Sequence, residues 1–153
     1  MNMSRNQRPE GTWLGFDYGL KRIGVAAGQT LTAQANPLAI VRCDQGKPDW
    51  HHIQALVQEW QPAAMALGLP RHADGTDNAI TPRVRRFARQ LQGRFERPVY
   101  VLDETLTSQS AREMADIMGD PRRPETPIDD WAAACILQDA LGGAGAPIEE
   151  DPT

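Results

Sequence analysis

Three acids stand where carboxylate chemistry could be done: Asp17 in TWLGFDYGL, Glu104 in VYVLDETL and Asp129 in TPIDDWAAA. Asp17 ends a run of strand-formers, Glu104 follows the apolar run 98–102, and Asp129 opens an alanine-rich helical stretch. An acidic side chain at the end of an apolar strand must be solvated, pair with a cation or bind a metal, because burying it alone is prohibitive. Three carboxylates held together repel and raise one another's pKa unless a cation compensates. Such a cluster predicts Mg2+ or Mn2+, which seek oxygen ligands and leave room for water and substrate phosphate. Two such ions about 4 Å apart could activate water, stabilise the leaving oxygen and cleave a phosphodiester without a protein nucleophile. Each acid also has a plainer reading. Asp17 could bond its own hairpin turn or pair with the nearby Lys21 or Arg22, Glu104 could be a loop carboxylate, and Asp129 the acid of a capping box.

The elements that must gather these acids follow from the residue pattern. Residues 12–27 read as a β-hairpin, two extended segments joined at a turn that contains Gly19. Residues 37–43 (PLAIVRC) form a third short apolar run with β-branched side chains. After Pro48 the period changes: Ile53, Leu56, Val57 and Trp60 share one helical face. Residues 63–69 (AAMALGL) are apolar throughout, as in a parallel strand covered on both faces, and the polar loop RHADGTDN follows. Val84, Phe87, Ala88 and Leu91 mark a second helix, with Arg85, Arg86 and Arg89 on the opposite arc. That arc suits either a phosphate-facing stripe or an ordinary solvated face. Residues 98–102 make the last strand. Thr107 can cap a helix through Ala111, Ala115 and Met118, residues 119–127 form a proline-rich connection, and Thr126, Pro127 and Asp129 open the final helix, which Gly142 ends.

Strands alternating with helices predict an α/β domain whose mixed central sheet is flanked by helices, the hairpin antiparallel and the later strands parallel. In parallel sheets the strands' carboxyl ends share one edge, so Asp17 and Glu104 can converge there. Ala132 and Ala133 leave little side chain to hold the last helix, and with it Asp129, away from the sheet.

Length and charge bound the rest. A chain of 153 residues fits one domain with a real core. The expected organisation is a disordered tail over 1–11, one domain over 12–141 and a flexible acidic tail over 142–153. Cys43 and Cys135, each in an apolar segment, suit reduced thiols in a cytoplasmic protein. No apolar stretch is long enough for a signal core or a membrane span, so no membrane partner is expected. A net charge of −4 argues against nucleic acid, but acids crowd the tail while bases cluster between Arg83 and Arg97.

Taken jointly, FDYGLKRIGVA, ANPLAI, LGLPRHADGTDN, LDETLTSQSA and IDDWAAACILQDAL resemble the YqgF/RuvX family, ribonuclease H-like proteins described as pre-16S rRNA nucleases and as Holliday junction resolvases. The resemblance covers residues 12–141. It implies a ribonuclease H-like fold, here with a five-stranded mixed sheet, a divalent metal (Mg2+ or Mn2+), and cleavage of structured RNA at the 5′ end of the small-subunit rRNA precursor. Its metal-site acids fall on Asp17, Glu104 and Asp129, with Asp130 the weaker candidate of the adjacent pair. Lys21, Arg22, Arg71, Gly75 and Thr76 become substrate-side candidates beside Arg85, Arg86 and Arg89. A DGT-type turn could equally serve only to start a helix. Two departures stand out: Thr105 occupies a position where the family often has arginine, and Arg122 and Arg123 are fewer bases than that segment usually carries. Branched DNA is the alternative substrate, since the same chemistry attacks either backbone. Thr105 and the acidic net charge keep a second alternative open, a nonenzymatic nucleic-acid-binding module in ribosome assembly or transcription. An actin-like ATPase would need two such domains. A monomer or weak dimer is expected.

Overall fold

The computed structural model describes residues 8–70, 74, 76–103 and 129–148, with Asp129 and Asp130 defined by their backbone. Its elements are β1 (Thr12–Asp17), β2 (Arg22–Gln29), β3 (Gln34–Asp44), β4 (Lys47–Pro48), α1 (Trp50–Trp60), β5 (Ala64–Leu69), α2 (Thr81–Phe95), β6 (Val99–Asp103), α3 (Asp129–Leu141) and β7 (Ala146–Pro147). The expected helix through Ala111, the connection over 119–127 and the cap at Thr126 lie outside the described residues. The strands form one sheet in the order β4-β3-β2-β1-β5-β6-β7. β1, β2 and β3 are antiparallel neighbours, while β5 runs parallel to β1 and β6 parallel to β5.

Among the described residues the sheet has seven strands rather than the five expected. The two additions, β4 and β7, are two residues each, too short for any alternation to register. β4 returns along β3 after a turn in which Gln45 and Gly46 both adopt positive φ, 50° and 83°. β7 pairs antiparallel with β6 through Tyr100 and Val101.

Alternation along the strands sorts side chains onto two helical layers. Leu14, Phe16, Ile23, Val25, Met65 and Leu67 pack against α1 and α2 through Ile53, Val57, Val84, Phe87 and Leu91. The opposite face combines the small residues Ala26, Ala64 and Ala66 with Trp13, Tyr100 and Leu102, and takes α3 through Ala133, Leu137 and Ala140. Gly15 lies at the closest approach: a Cβ there would sit 2.6 Å from the Leu137 Cβ and 3.0 Å from the Ala133 carbonyl oxygen. The expected close seating of the alanine-rich helix therefore depends on the strand as much as on the helix. All of β5 is buried, as befits a parallel strand covered on both sides.

Local signals end the helices. Asp49 caps α1, accepting from the His52 amide at 3.2 Å, and Gln61 closes it in the left-handed region at φ 45°. Asn78 accepts from the amides of Ile80 and Thr81 ahead of α2, while the fully buried Thr81 hydroxyl donates to the Pro70 carbonyl at 2.6 Å. That bond ties the end of β5 to the start of α2. Outside 12–141, Arg8 donates to the carbonyls of Ala144, Gly143 and Gly145 at 2.7–2.8 Å and lies 4.5 Å over the Tyr100 ring. It thereby satisfies carbonyls just beyond the end of α3.

Candidate active site

Register brings the carboxyl ends of β1, β5 and β6 to a common edge. Phe16 is level with Leu67, and Leu67 with Val101, so Asp17 and Asp103 end neighbouring rows of one parallel ladder. Asp17 is half-buried at the end of β1 and shares the parity of Trp13 and Gly15, which face α3. Its carboxylate is thus carried on the α3 side of the edge.

The direction of α3 follows from two contacts. Leu141 reaches Gly28, opposite Trp13 at the beginning of β1, whereas Ala133 and Leu137 lie over Gly15 nearer its end. The helix therefore runs antiparallel to β1. From its crossing of Gly15 back to Asp129 is about 9 Å of helix. From Gly15 forward to Asp17 is about 7 Å of strand. The backbone of Asp129 and the end of β1 thus come to the same edge, with the positive end of the helix dipole on the side of the carboxylate. Asp103 is the last described residue of β6; Glu104, directly after it, lies outside the described residues. No cluster of three or more metal-ligating side chains occurs among the described residues. Of the three predicted ligands, Asp17 is the one whose side chain is described, and its donors are carboxylate oxygens, which suit Mg2+ or Mn2+.

The substrate-side candidates divide. Lys21 and Arg22 are exposed at the entry to β2 and line a shallow depression of about 430 Å3 with Ile40, Arg42 and Cys43. Arg22 pairs across the ladder with Arg42, and both belong to the same edge as Asp17. Like charges directly opposite each other on a ladder disfavour one another. Thr76 is held by Asp74, to which it donates from its hydroxyl at 2.6 Å and its amide at 2.9 Å. These two bonds hold the Asp74 carboxyl below the usual carboxylate range. Arg71 and Gly75 lie outside the described residues.

The arginine arc on α2 is not one stripe. Arg85 is engaged by Asp77, with contacts of 2.6 and 3.3 Å, and Arg89 is exposed. Arg86 turns instead into a cleft of about 670 Å3 that it shares with Arg83, Lys47, Tyr18 and Trp50. Arg83, Lys47 and Arg42 were not singled out from the sequence. A helical stripe of Arg83, Arg86 and Gln90 was present there, but the hairpin that faces it is distant along the chain. Burial pushes the Tyr18 phenol up, with Cys43 adding to it against the opposing pull of Arg83 and Arg86. Tyr18 therefore stays protonated and donates to the Gly46 carbonyl at 2.7 Å.

The chain matches the family described as "RuvX: Holliday junction resolvase" over residues 11–143. A Hydrogenovibrio crunogenus protein named "putative pre-16S rRNA nuclease" is 46% identical over 132 residues, covering 86% of this chain and 94% of that one. A Pseudomonas aeruginosa protein of the same name is 42% identical over 135 residues, covering 87% and 93%. Among solved structures, Thermus thermophilus RuvC in complex with Holliday junction substrate superposes with a TM-score of 0.60 at 17% identity, covering 90% of this chain and 99% of RuvC. The fowlpox virus Holliday junction resolvase gives 0.51 at 14% identity, covering 86% and 98%. At such identities the structural likeness concerns the fold, which is ribonuclease H-like.

Proposed function

Since the chain belongs to the RuvX family and is a phosphodiester-cleaving nuclease, we propose that its substrate is the precursor of 16S rRNA, trimmed at its 5′ end in the cytoplasm during ribosome biogenesis. The observation that carries the reading is Asp17, a half-buried carboxylate at the carboxyl end of β1, on the face where the N-terminus of α3 arrives. The relatives that bear the rRNA nuclease name match nearly their full lengths.

Asp17, Glu104 and Asp129 are the residues that would hold Mg2+ or Mn2+. When bound, such ions supply Lewis acidity at the scissile phosphate, easing the deprotonation of water and the departure of the leaving oxygen. The protein's own part is to orient. The rigid parallel ladder fixes Asp17, the close contact at Gly15 fixes the start of α3 relative to it, and the cations Lys21, Arg22 and Arg42 draw the phosphodiester to the edge.

The test compares Asp17→Asn with the wild type on a precursor rRNA fragment in Mg2+ or Mn2+. A folded variant with cleavage reduced about 10²- to 10³-fold is expected, the scale on which catalytic electrostatic groups act. Undiminished cleavage would remove Asp17 from the site. Because the family description names the Holliday junction, a four-way DNA junction is run beside the RNA. A strong preference for the junction would replace RNA by branched DNA as the substrate.

A further inference from the structure

The cleft on the other side of the same edge is not accounted for by metal-dependent cleavage. Its floor is Tyr18, the residue after Asp17 and therefore on the opposite face of the sheet. One wall is the β3–β4 hairpin and the other is α2, which contributes Arg83 and Arg86. The walls are braced: the Tyr18 hydroxyl holds the Gly46 carbonyl at 2.7 Å, and the Gly46 amide donates to the Leu20 carbonyl at 3.0 Å. Gly46 has φ 83°, and a Cβ there would meet the Arg83 Nη1 at 2.7 Å. Glycine takes this positive φ without strain and leaves room for the guanidinium against the hairpin backbone.

Charge identifies what the cleft can take. α2 carries arginines at 83, 85, 86, 89 and 94 and no acid, in a chain of net charge −4. Arg83, Arg86 and Lys47 have no carboxylate partner among the described residues. Concentrating cations that way disfavours the protein alone and favours an anion between them. The aromatic rings in the cleft are already engaged: Trp50 packs on Phe87 and Phe95 at centroid separations of 5.5 and 6.4 Å under Arg94 at 4.1 Å, and the buried Tyr18 packs on the buried Phe87 at 5.1 Å. With these rings so used, the cleft offers guanidinium, ammonium and amide donors rather than a stacking surface. That donor set positions phosphates without reading bases.

We propose that Arg83, Arg86 and Lys47 hold the sugar–phosphate backbone of the substrate's flank, two or three nucleotides from the cut phosphodiester. A helix layer packs on the order of 10 Å from a sheet. In a duplex the successive phosphates of one strand advance about 3.4 Å along the helix axis, so two or three nucleotides cover about 7–10 Å of axis. The strand thus crosses the sheet edge, with the cut phosphate on the α3 side and the flank on the α2 side. This rests on the nucleic-acid substrate proposed above and extends it to a second contact.

The experiment uses two substrates with the same cut site, one carrying the flank and one truncated next to the cut, in both RNA and four-way-junction form. The readouts are kcat/KM for each and the salt dependence of metal-free binding by fluorescence anisotropy. Arg83→Gln/Arg86→Gln should cut the advantage of the long substrate over the short one about 10²- to 10⁴-fold, as expected for two charge-assisted contacts. It should also flatten the slope of log K against log salt by roughly 1.4–1.8, at 0.7–0.9 per phosphate. Arg97→Gln, at the opposite edge before β6, removes the same kind of charge and should leave the slope as it is. An unchanged long-to-short ratio in the double variant, while the wild type still binds and cleaves, overturns the cleft and leaves the nuclease reading intact. Equal losses on both substrates also overturn it, since they place the arginines at the cut. A wild type that binds and cleaves neither nucleic acid overturns the reading on which the cleft depends.

Discussion

Replacing Gly15 by alanine tests the link between packing and chemistry. The added methyl would lie 2.6 Å from the Leu137 Cβ and 3.0 Å from the Ala133 oxygen. Carbon atoms in ordinary contact are about 3.5–4.0 Å apart, so α3 must withdraw by about 1 Å or the strand must bend. Overpacking of that kind costs about 1–3 kcal/mol. For a domain of this size each kcal/mol moves Tm by about 2–4 °C, so a fall of about 2–12 °C is expected. Because α3 also brings Asp129 to the edge that carries Asp17, a 1 Å withdrawal should lower kcat about 10²-fold even well below the variant's Tm. Gly93→Ala is the matched control. Gly93 is exposed inside α2, and a methyl added there would meet nothing within 4 Å, so alanine should raise stability by about 0.5–1 kcal/mol. Calorimetry and a cleavage assay at one low temperature read both. A Gly15→Ala protein with wild-type Tm would refute the packing argument. A lowered Tm with wild-type kcat would refute the coupling of α3 to the site.

Two further perturbations probe the framework around the site. Arg8→Ala abandons the carbonyls beyond α3 and the face of Tyr100, and should lower stability by about 1–3 kcal/mol. A reduced urea midpoint at constant slope is the expected result, and an unmoved midpoint would show the clamp to be idle. Burial pushes the Cys43 and Cys135 thiols up to about 11, from an ordinary value near 9. A raised folded-state pKa means that the stabilisation is complete below pH about 9 and is lost as pH rises through about 11. Stability should therefore decline across that window, and less so in Cys43→Ala/Cys135→Ala. The buried Cys135 thiol should resist iodoacetamide in the native protein at neutral pH and react once the protein is unfolded; rapid labelling of native Cys135 would contradict its burial.

Much of this architecture is written in local pattern. Ile53, Leu56 and Val57 marked α1, Val84, Phe87, Ala88 and Leu91 marked α2, and both sets are buried as their spacing requires. The uninterrupted apolar run at β5 predicted a strand covered on both faces, which it is. The two-residue strands escaped notice because β4 and β7 are set by pairing with β3 and β6 rather than by any period of their own. The arginines of α2 show the same limit. Helical geometry could say which of them lie on one flank, but not that Asp77 would take Arg85 or that the hairpin at Gly46 would rise beside Arg83.

The sequence alone determined the period of each element and that acids stand at the ends of two strands and the start of a helix, since those depend on neighbours a few residues away. Tertiary structure alone decided that β1, β5 and β6 end level, that α3 runs antiparallel to β1 over Gly15, and that a basic cleft opens on the reverse of the Asp17 edge. The physical reason is that register, helix direction and clefts come from contacts between residues far apart in the chain. Their free energy depends on how surfaces fit, and no local pattern encodes that fit.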